Sequence, residues 1–280
     1  MLCSNGFTTT YRKHTVTTDD EFWDDADLRE TPLLTDLKTM LRNHAHSHPR
    51  HLQVALGPSE IGHPCARTVI QGLLARPIIN PQMDPLPSYV GVAAHKAMEE
   101  AARMDNARLV AEGDTPRWIP EMKVEVTPGL SGTCDLYDIR TNTVIDYKFP
   151  GPTRMTKYRK EGPSPMYRAQ AHMYGKGYAN KGFPVSKVGI WFLPRGGFMA
   201  SSYLWTEDYD SAFVGSVVGR YHSLILLMDE MELETHPERL SMIPVTPFEC
   251  QFCEYFTVRD NHPDPAACRG MGYDPHHTDR

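Results

Sequence analysis

Asp135, Asp146 and Lys148 are the side chains of this sequence best suited to chemistry. They share one stretch, Ser131 to Lys148, which reads Ser-Gly-Thr-Cys-Asp-Leu-Tyr-Asp-Ile-Arg-Thr-Asn-Thr-Val-Ile-Asp-Tyr-Lys. The pattern predicts a strand, a tight turn and a second strand. Alternate residues on a strand share a face, so Asp146 and Lys148 project together while Tyr147 points away. A two-residue turn at Arg140-Thr141 sets Asp135 opposite Asp146, and any even-length turn without a bulge keeps all three groups on one side. Two carboxylates beside an ammonium suit a divalent cation and the cutting of phosphodiesters. The same tripeptide, Asp-x-Lys, is common on solvated hairpins, so the elements around it must decide.

Upstream, Ser88 to Gly113 predicts a helix with a small-residue stripe (Ala93, Ala97, Ala101 among it) and Gly113 as its stop. Gly91 and His95 lie four apart on one face, with Glu99 a turn further on. A neutral His95 imidazole could add a nitrogen ligand, and Glu99 is spaced to orient that ring or reach the metal through water. Downstream, Pro165 to Lys181 predicts a helix that places Gln170 and Tyr174 on one face, suited to a phosphate or a base near the metal, while Tyr178 belongs to the core. Between the two, Lys148, Arg154, Lys157, Arg159, Lys160 and Arg168 face a single acid, Glu161, with Phe149, Tyr158 and Tyr167 interleaved. Cations and aromatic rings together track phosphates and stack unpaired bases. Gly151, Pro152, Gly162 and Pro163 predict a loop that holds this patch at a cleft mouth. Strands are expected over 185–193 and 199–205, separated by Pro194-Arg-Gly-Gly, and a long helix over 207–234. The order predicts an α/β fold, a mixed sheet flanked by helices.

Taken in order, Gly91-x-x-x-His95, Gly132-Thr-Cys-Asp135, Asp146-Tyr-Lys148 and Gln170-x-x-x-Tyr174 resemble the motifs of the RecB-like nucleases of the PD-(D/E)XK superfamily. The resemblance spans about residues 59 to 270. It implies a restriction-endonuclease-like core in which His95, Asp135, Asp146 and the Tyr147 carbonyl hold Mg²⁺ or Mn²⁺. Lys148 then positions or helps activate the attacking water, and Gln170 and Tyr174 support substrate and site. Glu121 matches a less constant acidic position, with a surface role as the competing reading. The implied activity is exonuclease action on single-stranded DNA ends, with 5′→3′ polarity. Competing readings are a non-catalytic DNA-binding or adaptor protein on the same fold and a zinc-stabilised interaction module.

Six cysteines form the second informative set: Cys3, Cys65, Cys134, Cys250, Cys253 and Cys268. Without an evident signal peptide or an apolar run near membrane-span length, a reducing, cytoplasmic compartment without disulfides is expected. Cys250-x-x-Cys253 is a chelate spacing, with Cys268 in a turn-rich tail and Cys65 far upstream. This layout is similar to the iron–sulfur members of the same family, the AddB-type nucleases and the CRISPR-associated group numbered four. It implies a 4Fe–4S cluster on Cys65, Cys250, Cys253 and Cys268, closing a very long loop as a clasp. The fourteen residues between Cys253 and Cys268 leave room for His262 and for Zn²⁺ as competitors. Cys134, next to Asp135 but on the opposite face, is expected in the core, and Cys3 as a free thiol.

The chain has 280 residues, 40% of them hydrophobic, and a formal net charge of −6. That size supports one sizeable core. The negative charge excludes general nucleic-acid coating but not a locally basic cleft. The divisions expected are an extension (residues 1–54), a nuclease core (55–245) and a cysteine-rich tail (246–280). The extension carries an acidic block (Asp19 to Asp27), a helix over 31–42 and the histidines His44, His46, His48 and His51, read as a solvated linker. No G-x-x-x-x-G-K-[ST] phosphate loop occurs, so a helicase, recombination or CRISPR-adaptation partner would be a separate chain.

Overall fold

The computed structural model describes residues 31–46, 56–80, 84–258, 262–264 and 266–270. The acidic block, Cys3, His48 and His51 lie outside them. The chain divides into two units, 1–44 and 45–280. The expected helix over 31–42 is α1 (Pro32–His46), which exposes Leu33, Leu37 and Met40 and runs on through His44 and His46, so these two histidines are helical rather than part of a linker.

The second unit is built on a five-stranded sheet in chain order, β1 (Trp118–Thr127), β2 (Leu130–Asp138), β3 (Thr143–Lys148), β4 (Lys187–Phe192) and β5 (Tyr203–Asp208). All neighbours are antiparallel except β3 and β4. A parallel pair needs a crossover, and here it is made by α5 (Pro152–Glu161) and α6 (Pro165–Asn180). Two short helices, α2 (Pro58–Ile61) and α3 (Ala66–Leu73), and the long α4 (Leu86–Ala111) precede the sheet. The helix α7 (Ser211–Glu230) follows it. This is the α/β mixed-sheet architecture expected from the element order.

Each face of the sheet has its own apolar cluster. Val124, Cys134, Val144, Ile190 and Phe192 pack on Ala171, Tyr174 and Tyr178 of α6. On the other face Leu136, Tyr147 and Trp118 meet Met98 and Ala102 of α4. A third cluster joins Ile61, Val69 and Ile70 to Met173 on α6 and to Val214, Val218 and Leu224 on α7. Fully burying one such side chain stabilises the fold by about 1.5–3 kcal/mol, so these clusters, rather than propensity, fix the helices in place. By length and composition α7 could cross a membrane, contrary to the expectation that no apolar run of that length exists. Its Val214, Val218 and Leu224 are buried against the rest of this unit.

Three expected boundaries shift. The segment after β3 is not a loop but α5. Pro152 takes the first helical turn, where its missing N–H costs nothing, and Gly162 at φ +79° ends the helix. Its Gly and Pro residues are therefore helix punctuation. The last strand runs over Tyr203–Asp208 rather than 199–205, because Met199–Ser201 forms one 3₁₀ turn. The last helix starts later, at Ser211, where the Asp210 side chain accepts the N–H groups of Ala212 and Phe213 at 2.9 Å.

Candidate metal centre

The β2–β3 ladder contains Leu136↔Ile145, Tyr137↔Val144 and Asp138↔Thr143, with a four-residue turn over 139–142. Asp138 clamps that turn. It accepts from Arg117 (2.9 and 2.7 Å), from the Thr141 hydroxyl (2.8 Å) and from the Arg140 N–H (3.1 Å). These bonds and Arg117 outweigh burial and hold its carboxyl below the usual range. Continued by one step, the register would pair Asp135 with Asp146, as expected from the even-length turn.

The ladder does not take that step. Asp135 Oδ2 instead accepts the backbone N–H of Tyr147 at 2.5 Å, so the side chain fills the place of a ladder bond. Both β1 and β2 change face at this level. Trp118 and Met122 are four apart on β1 and should share a face, yet Trp118 packs with Leu136 and Tyr147 while Met122 packs with the Cys134 cluster. Cys134 and Leu136 separate in the same way on β2. The change on β1 falls at Glu121, whose φ of +49° breaks the alternation between Pro120↔Leu136 and Met122↔Cys134. The expectation of three groups on one unbroken strand face is thus corrected. Asp146 and Lys148 share a face; Asp135 reaches into the gap beside them.

That irregularity brings acids from two strands to a histidine of α4. His95 Nδ1 lies 3.1 Å from Asp135 Oδ1. One ligand atom each from His95, Glu121 and Asp135 lies within 4.8 Å of the others. An ion with oxygen and nitrogen ligands at about 2.0–2.6 Å spans such distances. Glu121, for which the sequence left open a family acidic position and a surface role, is a member of the group, and it lies within β1. Asp146 falls outside the mutual spacing. Asp146 is 3% exposed, and its Oδ2 is ion-paired with Lys148 Nζ at 2.6 Å. Burial pushes Asp146 up to about 6, opposed by the Lys148 charge. Burial disfavours the Lys148 ammonium, but Asp146, Tyr167 and Asp135 together raise its pKa. Its Nζ lies 4.7 Å from the centre of the Tyr167 ring.

The residues fit a hard divalent ion: an imidazole and two carboxylates within reach of one another, with the buried Asp146 carboxylate beside them paired to Lys148. Gln170 and Tyr174 stand behind them, 4% and 5% exposed, with Gln170 Nε2 3.4 Å from the Tyr174 hydroxyl. Gly132 is needed there, because a Cβ would lie 2.9 Å from Pro58 and 3.1 Å from the Tyr174 ring. Glu99 does not turn to His95; it pairs with Arg103 on its own helix.

Lys148 also borders an open cleft of about 750 Å³, lined by Arg154, Tyr167 and Arg195 and by Phe252 and Tyr255 of the tail. Arg154 is exposed, paired with Glu249 at 3.1 Å and lying 5.5 Å from the Phe252 ring centre. Lys157, Arg159 and Lys160 are exposed on α5.

Cys65 caps α3, and the tail brings Cys253 and Cys268 to the first turn of that helix. Cys253 Sγ lies 3.5 Å from the Thr68 hydroxyl, and Cys268 Sγ lies 3.8 Å from Arg67 Nη1. Gly270 donates its N–H to Cys268 Sγ at 3.4 Å and stands directly against Cys250 Sγ. None of the four is in a disulfide. Among the described residues their sulfurs do not form a group of three or more ligand atoms within 4.8 Å of one another. His262 Nδ1 accepts the Asp264 N–H at 3.1 Å. Cys134 is fully buried in the α6 cluster, and burial holds its thiol protonated.

No family model and no curated protein matches this chain. The solved structures similar to part of it include these two. One is an alkaline exonuclease, LHK-Exo, from Laribacter hongkongensis, at 11% identity and a TM-score of 0.41. The other is LHK-Exo in complex with dAMP, at 13% identity and a TM-score of 0.42. Each covers 68% of this chain and 95% of that one.

Proposed function

We propose that this chain is a Mg²⁺- or Mn²⁺-dependent deoxyribonuclease with a RecB-like PD-(D/E)XK core. Its substrate in this reading is single-stranded DNA ends, degraded 5′→3′. The observation that carries it is the meeting of His95, Glu121 and Asp135 beside the Asp146–Lys148 pair. A divalent ion, when bound, lowers the pKa of a coordinated water and offsets charge on the phosphoryl oxygens. The other work belongs to the chain. Asp135 is held in place by the Tyr147 N–H and by His95. Asp146 and the Tyr167 ring hold the Lys148 ammonium where a phosphorane would carry negative charge. Arg154 supplies a phosphate contact at the cleft, and Lys157, Arg159 and Lys160 extend the cationic surface along α5. Gln170 and Tyr174, being buried, support the carboxylates from below rather than touch DNA.

Cys65, Cys250, Cys253 and Cys268 hold a 4Fe–4S cluster in this reading, pinning the tail to α3 in a reducing, cytoplasmic setting. Helicase, recombination or CRISPR-adaptation partners would act from another polypeptide.

End-labelled single- and double-stranded DNA, incubated with Mg²⁺ or Mn²⁺, tests the activity. Asp146→Ala should lower cleavage by about a hundredfold or more. Cleavage at the wild-type rate by that variant rejects the site, and binding without cleavage by the wild type assigns an adaptor role. Anaerobic purification tests the cluster: a coloured protein with bound iron supports it, and a colourless one with stoichiometric zinc replaces it with Zn²⁺.

A further inference from the structure

We propose that the tip of the β4–β5 connection, Phe198-Met199, is a wedge that seats on the terminal base pair of a DNA duplex and unpairs it. The inference rests on the nuclease reading proposed above and extends its substrate from single-stranded ends to the end of a duplex.

These are the most exposed large apolar side chains among the described residues, at 81% and 77%. A Phe and a Met side by side in water are costly unless something covers them. Gly197, at φ +125°, supplies a bend that an L side chain resists and turns the tip outward.

The stem below the tip is tied to the catalytic strand. The N–H of Leu193 donates to the Lys148 carbonyl at 2.8 Å, and the N–H of Arg195 to the Pro150 carbonyl at 3.0 Å. The Arg195 guanidinium donates twice to the Phe149 carbonyl, at 3.2 and 3.1 Å. From the other side, Arg159 on α5 donates to the Ser201 carbonyl. Phe198 is three residues from Arg195, at most about 11 Å of chain. Arg195 itself lines the cleft that Lys148 borders.

The charge around the tip selects the occupant. Exposed Lys157, Arg159 and Lys160 stand on the helix that anchors the tip, and Arg195 lies below it. A ring flanked by cations matches a base flanked by phosphates, not a purely apolar protein face. Stacking on an aromatic ring is comparable in strength to one lost base-pair step. A single ring can therefore open one pair and send one strand towards Lys148.

A blunt duplex carrying 2-aminopurine at its penultimate base, mixed with the full chain in EDTA, reads the opening without cleavage. The wild type should raise the fluorescence. F198S/M199S should leave it at the free-DNA level and bind the blunt duplex about tenfold more weakly. The same variant should bind a fork with an already unpaired end as the wild type does, and F198W should restore opening. The wedge fails if the variant opens ends normally, or if it loses the fork equally. It also fails if the wild type opens nothing, or if the variant changes only the elution volume, which marks a contact between copies. End opening with no cleavage in Mg²⁺ or Mn²⁺ removes the nuclease reading alone; cleavage of single strands with no end opening removes the wedge alone.

Discussion

The Asp135 carboxylate accepts the backbone N–H of Tyr147 at 2.5 Å, where a regular hairpin would place a backbone carbonyl. One side chain thereby replaces a ladder bond and keeps its second oxygen 3.1 Å from His95. Backbone structure and ligand geometry are one feature here, so substitutions at Asp135 separate them.

Asp135→Asn keeps an oxygen for the Tyr147 N–H but removes the charge. Mn²⁺ binding and cleavage should be lost while the urea midpoint stays near wild type. Asp135→Ala also leaves that buried N–H unpaired, costing a further ~1–3 kcal/mol. Paired urea melts and calorimetric Mn²⁺ titrations of the two variants check this; equal stability would show that the bond carries no structural role.

Glu121→Gln should weaken Mn²⁺ binding by about tenfold or more, as expected when a charged ligand is neutralised. The Arg103–Glu99 pair on α4 provides the contrast. Glu99→Gln, near the site but turned from it, should leave Mn²⁺ affinity unchanged. Equal effects of the two substitutions would mean that only the general field matters.

Asp146 gives the site a pH dependence with two opposite signs. Burial raises its pKa to about 6, whereas an unfolded aspartate titrates near 3.9. The folded state holds this proton more tightly, so the group's contribution to stability is full below about pH 4 and is lost as pH rises through about 6. The metal-free protein should lose this increment relative to Asp146→Asn, which cannot ionise. Cation binding needs the carboxylate, so Mn²⁺ affinity should weaken as pH falls below about 6. Melts and titrations across that window read both slopes.

The turn clamp runs the other way. Asp138 is depressed, so its stability is present above about pH 4 and lost as pH falls through its folded value. Asp138→Asn breaks a paired, buried carboxylate and should cost about 1.5–3 kcal/mol. With the site chemistry untouched, cleavage per folded molecule should not change; a specific loss of activity would place the clamp in the site.

Much of this molecule was written in local patterns. The helix carrying His95, the hairpin with Asp146 and Lys148 on one face, and the helix placing Gln170 and Tyr174 together follow from period and punctuation. Each depends on residues near one another in the chain. Gly and Pro misled only where one pair of signals serves two purposes: Pro152 and Gly162 bound a helix as readily as a loop. What the sequence could not decide was set by contacts between distant segments. The left-handed backbone at Glu121 is favoured by no local residue preference, and it falls where the β1–β2 register passes from Pro120↔Leu136 to Met122↔Cys134. The same holds for Asp135, whose bond to Tyr147 exists only because two strands part at that level, and for Cys253, which reaches Thr68 of α3 only once the tail folds back. Local chemistry chose the side chains; packing across the chain chose which of their atoms meet.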